Sequence, residues 1–245
     1  MNTNIQYVRG SEWRKWDLHI HTQASDGHGM CEEILAEAKN KGVSCLAITD
    51  HHTFANIDVM KGLASMYGIT IISGVEFRTE YGSESVHMIG LFPDEFEGIK
   101  LTADFLHDTI LSPLGVSKSV IIAKGHEDRQ NGDDDTYFKL GMFKVQVDFK
   151  KAADLIHKYG GLVTVHAGEK GNTIEGMKHE GKSVRNTTIE NSLGSLKKEL
   201  FENGYIDICD ITRPEDATFY LQQFGLIHLL LRIKNQVKHY YINLE

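Results

Sequence analysis

Residues 16–22 read WDLHIHT, and this run decides the class of the fold. Successive side chains of a β-strand point to opposite faces, so His19 and His21 project together while the apolar residues between them pack the other way. Apolar residues then recur at helical spacing over residues 31–38, and a second strand pattern, VSCLAIT, occupies residues 43–49. A strand, a helix and a further strand in this order predict an α/β fold with a parallel sheet.

The same alternation of strand and helix patterns extends over much of the chain. Short runs rich in β-branched residues predict further strands, and helical periodicity followed by glycine predicts further helices. One of these helices begins at Asp148, whose side chain suits an N-cap. The predicted strands cover residues 69–77, 86–92, 161–168 and 205–211, and the predicted helices cover residues 54–67, 148–160, 183–203 and 215–224.

Two stretches depart from this alternation. Residues 93–147 lack a clear period and contain the acidic run NGDDDTY, so we expect a long insertion that acts as a lid. Residues 225–245 form an atypical tail with an apolar beginning and a basic, tyrosine-rich end. We expect residues 1–245 to form one domain, because α/β barrels of about this size usually do.

Composition limits the classes of function. The formal net charge of -8 argues against broad binding to nucleic acid, which depends on Lys and Arg neutralising phosphates. The three cysteines have no C-x-x-C spacing, which argues against a disulfide framework or a thiolate zinc site. Neither a signal-peptide pattern nor a membrane-spanning apolar run is present, which predicts a cytoplasmic protein without a membrane partner. The unusual feature is the presence of 13 histidines.

Histidines and a glutamate occur at the boundaries of the predicted strands. His51 follows LAIT, Glu76 follows ISGV, His87 precedes MIGLF and His166 follows LVTV. The C-terminal ends of the strands of a β/α barrel converge on one face, so side chains from separate strands can meet in one pocket. Imidazole combined with carboxylate favours zinc, manganese or iron over magnesium and calcium. The pattern therefore predicts a transition-metal site.

Acidic residues beside these histidines complete the predicted site. Asp17 shares the face of the two histidines of the first strand and is placed to accept a ring N–H, a contact that fixes a histidine tautomer. Asp26 lies in the loop that leaves this strand, with His28 as an alternative ligand. Asp50 is expected to support a neighbouring ligand rather than bind metal itself. Together with Glu76, whose carboxylate can bridge two ions, Asp17 and Asp50 are the predicted catalytic acids.

The strings DLHIHTQASDG, AITDHHT, GVEFRTEYG, VHMIGLF and VTVHAG, in this order, resemble the motifs of the PHP (polymerase and histidinol phosphatase) superfamily over most of residues 13–170. The combination is specific, although each string alone is weak. The resemblance implies a distorted (β/α)7 barrel of the TIM-like type with two or three bound metal ions. Carried across by position, it implies as ligands His19, His21, Asp26, His51, Glu76, His87 and His166.

The resemblance also implies a reaction and its partners. It implies hydrolysis of a phosphate ester by a metal-activated water, with a phosphomonoester, a nucleotide or a nucleic-acid end as the substrate. Arg78 and Lys170 are the residues that we expect to hold the phosphate. The strings GSEWRKWDLHIHT and HAGEKGNTIEG are also similar to PHP domains fused to large ATPases, which implies an ATPase partner or a fused ATPase domain.

One departure from the family pattern leaves alternatives open. The family closes its site with a final D-x-H, and no D-x-H occurs after residue 170. We therefore expect a barrel that is incomplete at the C-terminus, with a tail that is truncated or read in a shifted frame. One alternative function is a non-catalytic, metal-binding regulatory or sensor module of a larger ATPase system. Another is metal-dependent hydrolysis of an amide, as in amidohydrolase barrels that also begin with H-x-H.

Overall fold

The strands come from both halves of the chain. The computed structural model describes residues 14–81, 84–127, 131–167, 174, 195–211, 220, 228–233 and 236–240. Its strands are β1 (Lys15–Ile20), β2 (Val43–Ile48), β3 (Thr70–Tyr81), β4 (Glu84–Phe92), β5 (Glu95–Phe96), β6 (Ile99–Lys100), β7 (Val147–Asp148), β8 (Leu162–Ala167), β9 (Ile208–Ile211), β10 (His228–Ile233) and β11 (Gln236–Tyr240).

The helices that flank the sheet carry buried apolar residues. They are α1 (Cys31–Asn40), α2 (Ile57–Tyr67), α3 (Ala103–Leu106), α4 (Lys118–His126), α5 (Asp134–Gly141), α6 (Phe149–Lys158) and α7 (Ser195–Glu202). Asp148 caps α6 by accepting a hydrogen bond from the Lys151 backbone N–H at 2.7 Å. Phe149, Ala152 and Ile156 of α6 are fully buried. Gly68, with φ +69°, ends α2 in the left-handed conformation that glycine adopts without strain.

The main sheet is mixed and runs in the order β1-β2-β3-β4-β8-β9-β10-β11, with β7 also paired to β3. β1 to β3 are parallel, and so are β8 to β10. The predicted parallel sheet does not extend to β4, which runs antiparallel to β3 and to β8. β3 ends at Tyr81 and β4 begins at Glu84, and so short a connection permits only an antiparallel pair.

The sheet curls into a half-barrel, so that β11 at one end of the strand order approaches β1 at the other. This geometry confirms the predicted α/β class and the distorted barrel. The parallel strands β1, β2, β8 and β9 all direct their C-terminal ends to the same side of the sheet. Side chains at these ends are therefore brought together, although they lie far apart in the sequence.

Residues 93–147, the predicted insertion, contain regular structure that the sequence pattern did not indicate. The hairpin of β5 and β6, the helices α3, α4 and α5, and a π-helical turn at His107–Leu111 all lie in this stretch. Helix α4 was missed because its apolar residues Val120, Ile121 and Ile122 are consecutive, which gives no helical period. A role for this segment as a lid stays a prediction.

The C-terminal part of the chain is described in pieces. The predicted strand at residues 205–211 appears as β9, and the predicted helix at 183–203 is seen only as α7 over its last turns. The predicted helix at 215–224 and residue Lys170 lie outside the described residues, apart from Tyr220. The atypical tail contributes β10, parallel to β9, and β11, antiparallel to β10. Among the described helices, none has the length and apolarity needed to cross a membrane.

Candidate metal centre

The candidate site lies where the strand ends meet. His19 lies within β1 and His21 just beyond it, His51 follows β2, and His166 lies near the end of β8. An isolated bridge pairs His51 with Glu76 of β3, which continues the alignment of the neighbouring strands beyond the end of β2. The structure thus brings residues from separate strands to one place, as the positions of these residues in the sequence predict.

Glu76 is the centre of the cluster. Its carboxylate is 2% exposed, and imidazole nitrogens from five strands and loops face it. Three nitrogens lie near Glu76 Oε2, at 3.1 Å for His19 Nε2, 2.8 Å for His21 Nε2 and 3.6 Å for His51 Nε2. Two lie near Glu76 Oε1, at 2.7 Å for His87 Nδ1 and 3.1 Å for His166 Nε2. One ion pair would need only one imidazole, whereas ring nitrogens of five histidines face this buried carboxylate.

The H-x-H pair supplies two of these nitrogens in a geometry that suits a cation. The Nε2 atoms of His19 and His21 lie only 2.8 Å apart, and both lie within 3.1 Å of Glu76 Oε2. On the far side of the ring, His21 Nδ1 lies 2.6 Å from Asp26 Oδ1, and Asp26 Oδ2 lies 3.8 Å from His51 Nε2. Asp26 therefore reaches the cluster. The alternative ligand His28 is exposed and belongs to none of the candidate metal groups.

Asp210 belongs to the same cluster, although the sequence analysis did not select it. Its side chain is buried at the end of β9, where it pairs with His166 of β8 across the sheet. Asp210 Oδ2 lies 3.7 Å from the Nδ1 atoms of both His19 and His166. The available signal was its place near the end of the predicted strand YIDICDI, the same kind of position that drew attention to the histidines.

Asp50 is buried beside the cluster but faces a different set of groups. Its Oδ1 accepts hydrogen bonds from the Thr22 backbone N–H at 2.7 Å and from Ser25 Oγ at 2.6 Å. Its Oδ2 accepts a hydrogen bond from Thr22 Oγ1 at 2.8 Å. These contacts anchor the loop between His21 and Asp26, so Asp50 fixes the position of a candidate ligand.

Asp17 and Arg78 are the remaining predicted residues that the structure describes. Asp17 Oδ1 accepts a hydrogen bond from the His19 backbone N–H at 3.3 Å. Arg78 is half-buried on β3, opposite His87 and two residues beyond Glu76, which places it on the Glu76 face of the strand. Phe143, in the predicted insertion, is 44% exposed, and its ring lies edge-on to His51 with 5.6 Å between the centroids.

The electrostatics separate these groups. Burial alone would raise the pKa of Glu76, but the surrounding histidines, first among them His19, outweigh it and hold that pKa well below its usual range. Burial lowers the pKa of His51 to about 4, although Glu76 opposes the shift. For His21, the carboxylates of Glu76 and Asp26 outweigh the effect of burial and raise the pKa. Burial raises the pKa of Asp50, although its hydrogen bonds to Ser25 and Thr22 and the nearby His21 oppose the shift.

The donor atoms form overlapping groups that could hold a metal ion. Within the described residues, four overlapping groups each have ligand atoms that lie within 4.8 Å of one another. The donors are imidazole nitrogens and carboxylate oxygens without sulfur, a set that suits zinc, manganese or iron. The groups are His19 with His21 and Glu76; His21 with Asp26 and His51; Glu76 with His87 and His166; and His19 with His166 and Asp210.

The histidines outside the cluster have other surroundings. His126 stacks on Tyr137 with 3.6 Å between the ring centroids. His157 Nε2 lies 2.8 Å from Asp207 Oδ2, a pair that connects α6 to the segment before β9. His107 pairs with the adjacent Asp108 at 3.0 Å. None of these three residues belongs to the candidate metal groups among the described residues.

Known proteins resemble this chain in sequence over about a third of its length and in fold over most of it. A 5'-3' exoribonuclease of Haemophilus influenzae is 41% identical over 78 residues, which are 32% of this chain and 28% of that protein. A 3',5'-nucleoside bisphosphate phosphatase of Chromobacterium violaceum is 33% identical over 81 residues, 33% of this chain and 28% of that protein. The chain thus aligns with less than a third of the length of either relative.

The fold comparison covers much more of the molecule. The structure of an amidohydrolase from Chromobacterium violaceum, with bound sulfate and no metal, has a TM-score of 0.59 at 16% identity and covers 95% of this chain and 92% of that one. The sequence profile of the PHP domain matches residues 17–240, which extends into the tail that the motif resemblance left out. The strands, the clustered histidines and this match agree: the chain belongs to the PHP domain family.

Proposed function

We propose that this chain hydrolyses a phosphate ester with a metal-activated water. The observation that carries the proposal is the convergence of five imidazole nitrogens on the buried carboxylate of Glu76. Divalent ions held there would lower the pKa of a bound water to about 7 and would stabilise the attacking and leaving oxygens of phosphoryl transfer. The family is one of phosphoesterases, which makes phosphorus the expected centre of attack.

Two or three ions of zinc, manganese or iron fit the four overlapping groups. Glu76 and the histidines at its two oxygens would hold two of them, because this carboxylate belongs to two groups at once. Asp210 would supply a carboxylate to the group formed with His19 and His166. It would thereby provide one of the two ligands that the absent D-x-H leaves out.

The surrounding residues would orient the ligands and hold the substrate. Asp50 holds the loop of Asp26 through three hydrogen bonds, and Asp17 fixes the backbone of His19. Arg78 would bind a phosphate oxygen from the Glu76 face of β3, because a guanidinium can donate two parallel hydrogen bonds. We retain Lys170 as a second candidate for phosphate binding on the basis of the sequence alone.

A nucleotide or a nucleic-acid end is the substrate class that we favour over other phosphate esters. Both the exoribonuclease and the nucleoside bisphosphate phosphatase that resemble part of this chain act, by their names, on such molecules. The net charge of -8 limits long-range attraction of a polyanion, so a short end or a mononucleotide suits this chain better than a long duplex.

The test combines metal analysis with a panel of esters. Purified protein loaded separately with zinc, manganese or iron should hydrolyse p-nitrophenyl phosphate, bis-p-nitrophenyl phosphate or an oligonucleotide. Both His19→Ala and His21→Ala should abolish turnover, whereas His28→Ala, the matched control in the adjoining loop, should keep it. Cyclic amides in the same panel would detect the amidohydrolase alternative.

The second candidate function is a non-catalytic metal-binding module. The absence of D-x-H after residue 170 is the observation that favours it, and an ATPase would be its partner. In that case the protein should bind metal yet hydrolyse none of the esters at any metal loading. Turnover that depends on His19 and His21 would reject this alternative.

A further inference from the structure

A cavity lies beside the candidate metal centre and contains none of the residues of the metal groups. It has a volume of about 250 Å³ and lies between the loops that follow β1 and β2 and the helical insertion. Its walls combine apolar and polar groups: Ala24, Ala55, Leu111 and Phe138 are apolar, and His52, Thr53, His107, Ser117, Lys118 and Asp135 are polar or charged. Complete small-molecule sites occupy roughly 300–1,000 Å³, so this volume suits one part of a substrate.

His52 is the unusual residue in the wall of this cavity. Its side chain is 2% exposed, yet neither ring nitrogen has a hydrogen-bond partner among the described residues. Leaving a buried polar group without a partner costs about 1–3 kcal/mol, so such groups need an explanation. Both nitrogens are closed to solvent in this structure, so a ligand in the cavity that His52 lines would provide the missing partners once the ring turns toward it.

The backbone of His52 adds a second cost at the same position. Its φ of +54° lies in the left-handed region, which residues other than glycine enter infrequently. The His52 backbone N–H donates to the Glu76 carbonyl oxygen at 3.0 Å, which helps to hold this conformation. Strained residues that persist in this way cluster at binding and catalytic sites.

The cavity is placed to receive the part of a substrate that lies beyond the reacting phosphate. Ala24 lies in the loop between His21 and Asp26, and His52 directly follows His51. The cavity therefore borders two of the loops that carry candidate ligands, while its own walls contribute no residue to the metal groups. A molecule bound at both places would have its phosphate at the metals and its remainder here.

The chemistry of the walls selects a heterocyclic base. Leu111 and Phe138 supply apolar surface, and the imidazole of His52, when neutral, carries one N–H donor and one acceptor nitrogen. A nucleobase has flat apolar faces and an edge with both donors and acceptors. Lys118 has an exposed side chain without an ion pair among the described residues, so it can face an anionic sugar–phosphate.

We propose that this cavity binds the nucleobase of a nucleotide whose scissile phosphate lies at the metal centre. The assignment rests on the proposed function, since it names the substrate class of that same site. It makes His52 a specificity residue that hydrogen-bonds the edge of the base. A phosphate ester without a base gains nothing from this cavity.

Binding of nucleosides separates this proposal from the proposed hydrolysis, because a nucleoside has no phosphate and metal-free protein has no catalytic ion. We would titrate adenosine, guanosine, cytidine and uridine into metal-free full chain by calorimetry. At least one should bind, and Ala55→Phe, which fills the exposed rim of the cavity, should weaken that binding about tenfold. Val59→Phe, at an exposed position of α2 outside the cavity, is the matched control and should bind as the parent does.

A second variant tests the role of His52 itself. His52→Asn tolerates a positive φ but shortens the side chain, so the base should again bind about tenfold more weakly. In metal-loaded enzyme, both cavity variants should lower the ratio of kcat/KM for nucleotide to kcat/KM for p-nitrophenyl phosphate. Absence of nucleoside binding by the parent protein, or equal binding by Ala55→Phe, would overturn the proposal even if ester hydrolysis is observed.

Discussion

Glu76 and Asp50 are buried carboxylates that lie close together in the chain's fold, yet they face different groups. Imidazole nitrogens of five residues surround Glu76, whereas hydroxyls and one backbone N–H surround Asp50. The pKa of Glu76 is lowered by its histidines, and the pKa of Asp50 is raised by burial. The difference indicates that one carboxylate is built for cations and the other for holding a loop.

The largest expected effect is at the imidazole-lined carboxylate. Glu76→Gln keeps the shape of the side chain but removes the charge that several ligands share, so metal affinity should fall by more than the roughly 10–100-fold that losing a supporting contact costs. Calorimetric titration of zinc or manganese and elemental analysis of the purified variant would measure this loss. Glu80→Gln, at an exposed position of the same strand, is the matched control.

Substitution of Asp50 should affect the loop more than the metal. In metal-free protein, Asp50→Ala removes three hydrogen bonds and should lower the free energy of unfolding by about 3 kcal/mol. Asp50→Asn keeps the acceptor oxygen for the Thr22 N–H and for Ser25 but loses the acceptor of the Thr22 hydroxyl, whose oxygen already accepts from Ala24 and Asn56, so it should cost about 1–2 kcal/mol. Urea denaturation would compare the two variants. If both lose stability equally, the charge of Asp50 matters and the contrast with Glu76 fails.

Asp210 is intermediate in its surroundings, because it faces two imidazoles, whereas Glu76 faces five and Asp50 is held by hydroxyls and a backbone N–H. Asp210→Asn leaves the buried volume filled but removes a charge 3.7 Å from His19 and His166. The weakest-bound ion should be lost or bound roughly 10–100-fold more weakly, while the ions near Glu76 remain. Elemental analysis during stepwise dialysis would count the retained ions, with Asp154→Asn on the exposed side of α6 as the control. Full metal retention would remove Asp210 from the ligand set.

The strands that carry the histidines were predictable from the sequence because their signal is local. In WDLHIHT the two-residue period places His19 and His21 on one face, and the order of the motifs extends the argument to Glu76 and His166. The amphipathic helix α6 and its cap at Asp148 were predictable for the same reason. Each prediction needed only a few neighbouring residues.

Features that depend on distant pairing were not predictable in this way. An aspartate at the end of a strand is common, and Asp210 joins the site only because β9 pairs with β8 in the register that sets it beside His166. The antiparallel direction of β4 follows from the short connection between β3 and β4, and the length of that connection depends on where β3 ends, at Tyr81, five residues beyond Glu76. The cavity at His52 likewise needs the insertion in place.

The smallest expected effect is on the free energy of unfolding, at the ion pair between His157 and Asp207. The hydrogen bond to Asp207 raises the pKa of His157, and the Asp207 carboxylate also accepts the Val163 backbone N–H at 2.7 Å. A pKa raised on folding contributes stability that is fully present below the unfolded value of 6.5 and is lost as pH rises through the folded value. Because the His157 side chain is 30% exposed, the contribution should be only about 0.5–1 kcal/mol.

The free energies of unfolding of the parent and of His157→Gln, measured by urea denaturation, should therefore differ more at about pH 5.5 than at about pH 9. The difference should be the same with and without a chelator, because a single imidazole beside one carboxylate does not form a metal site; dependence on metal would mean that the contrast drawn for Glu76 does not rest on the number of imidazoles.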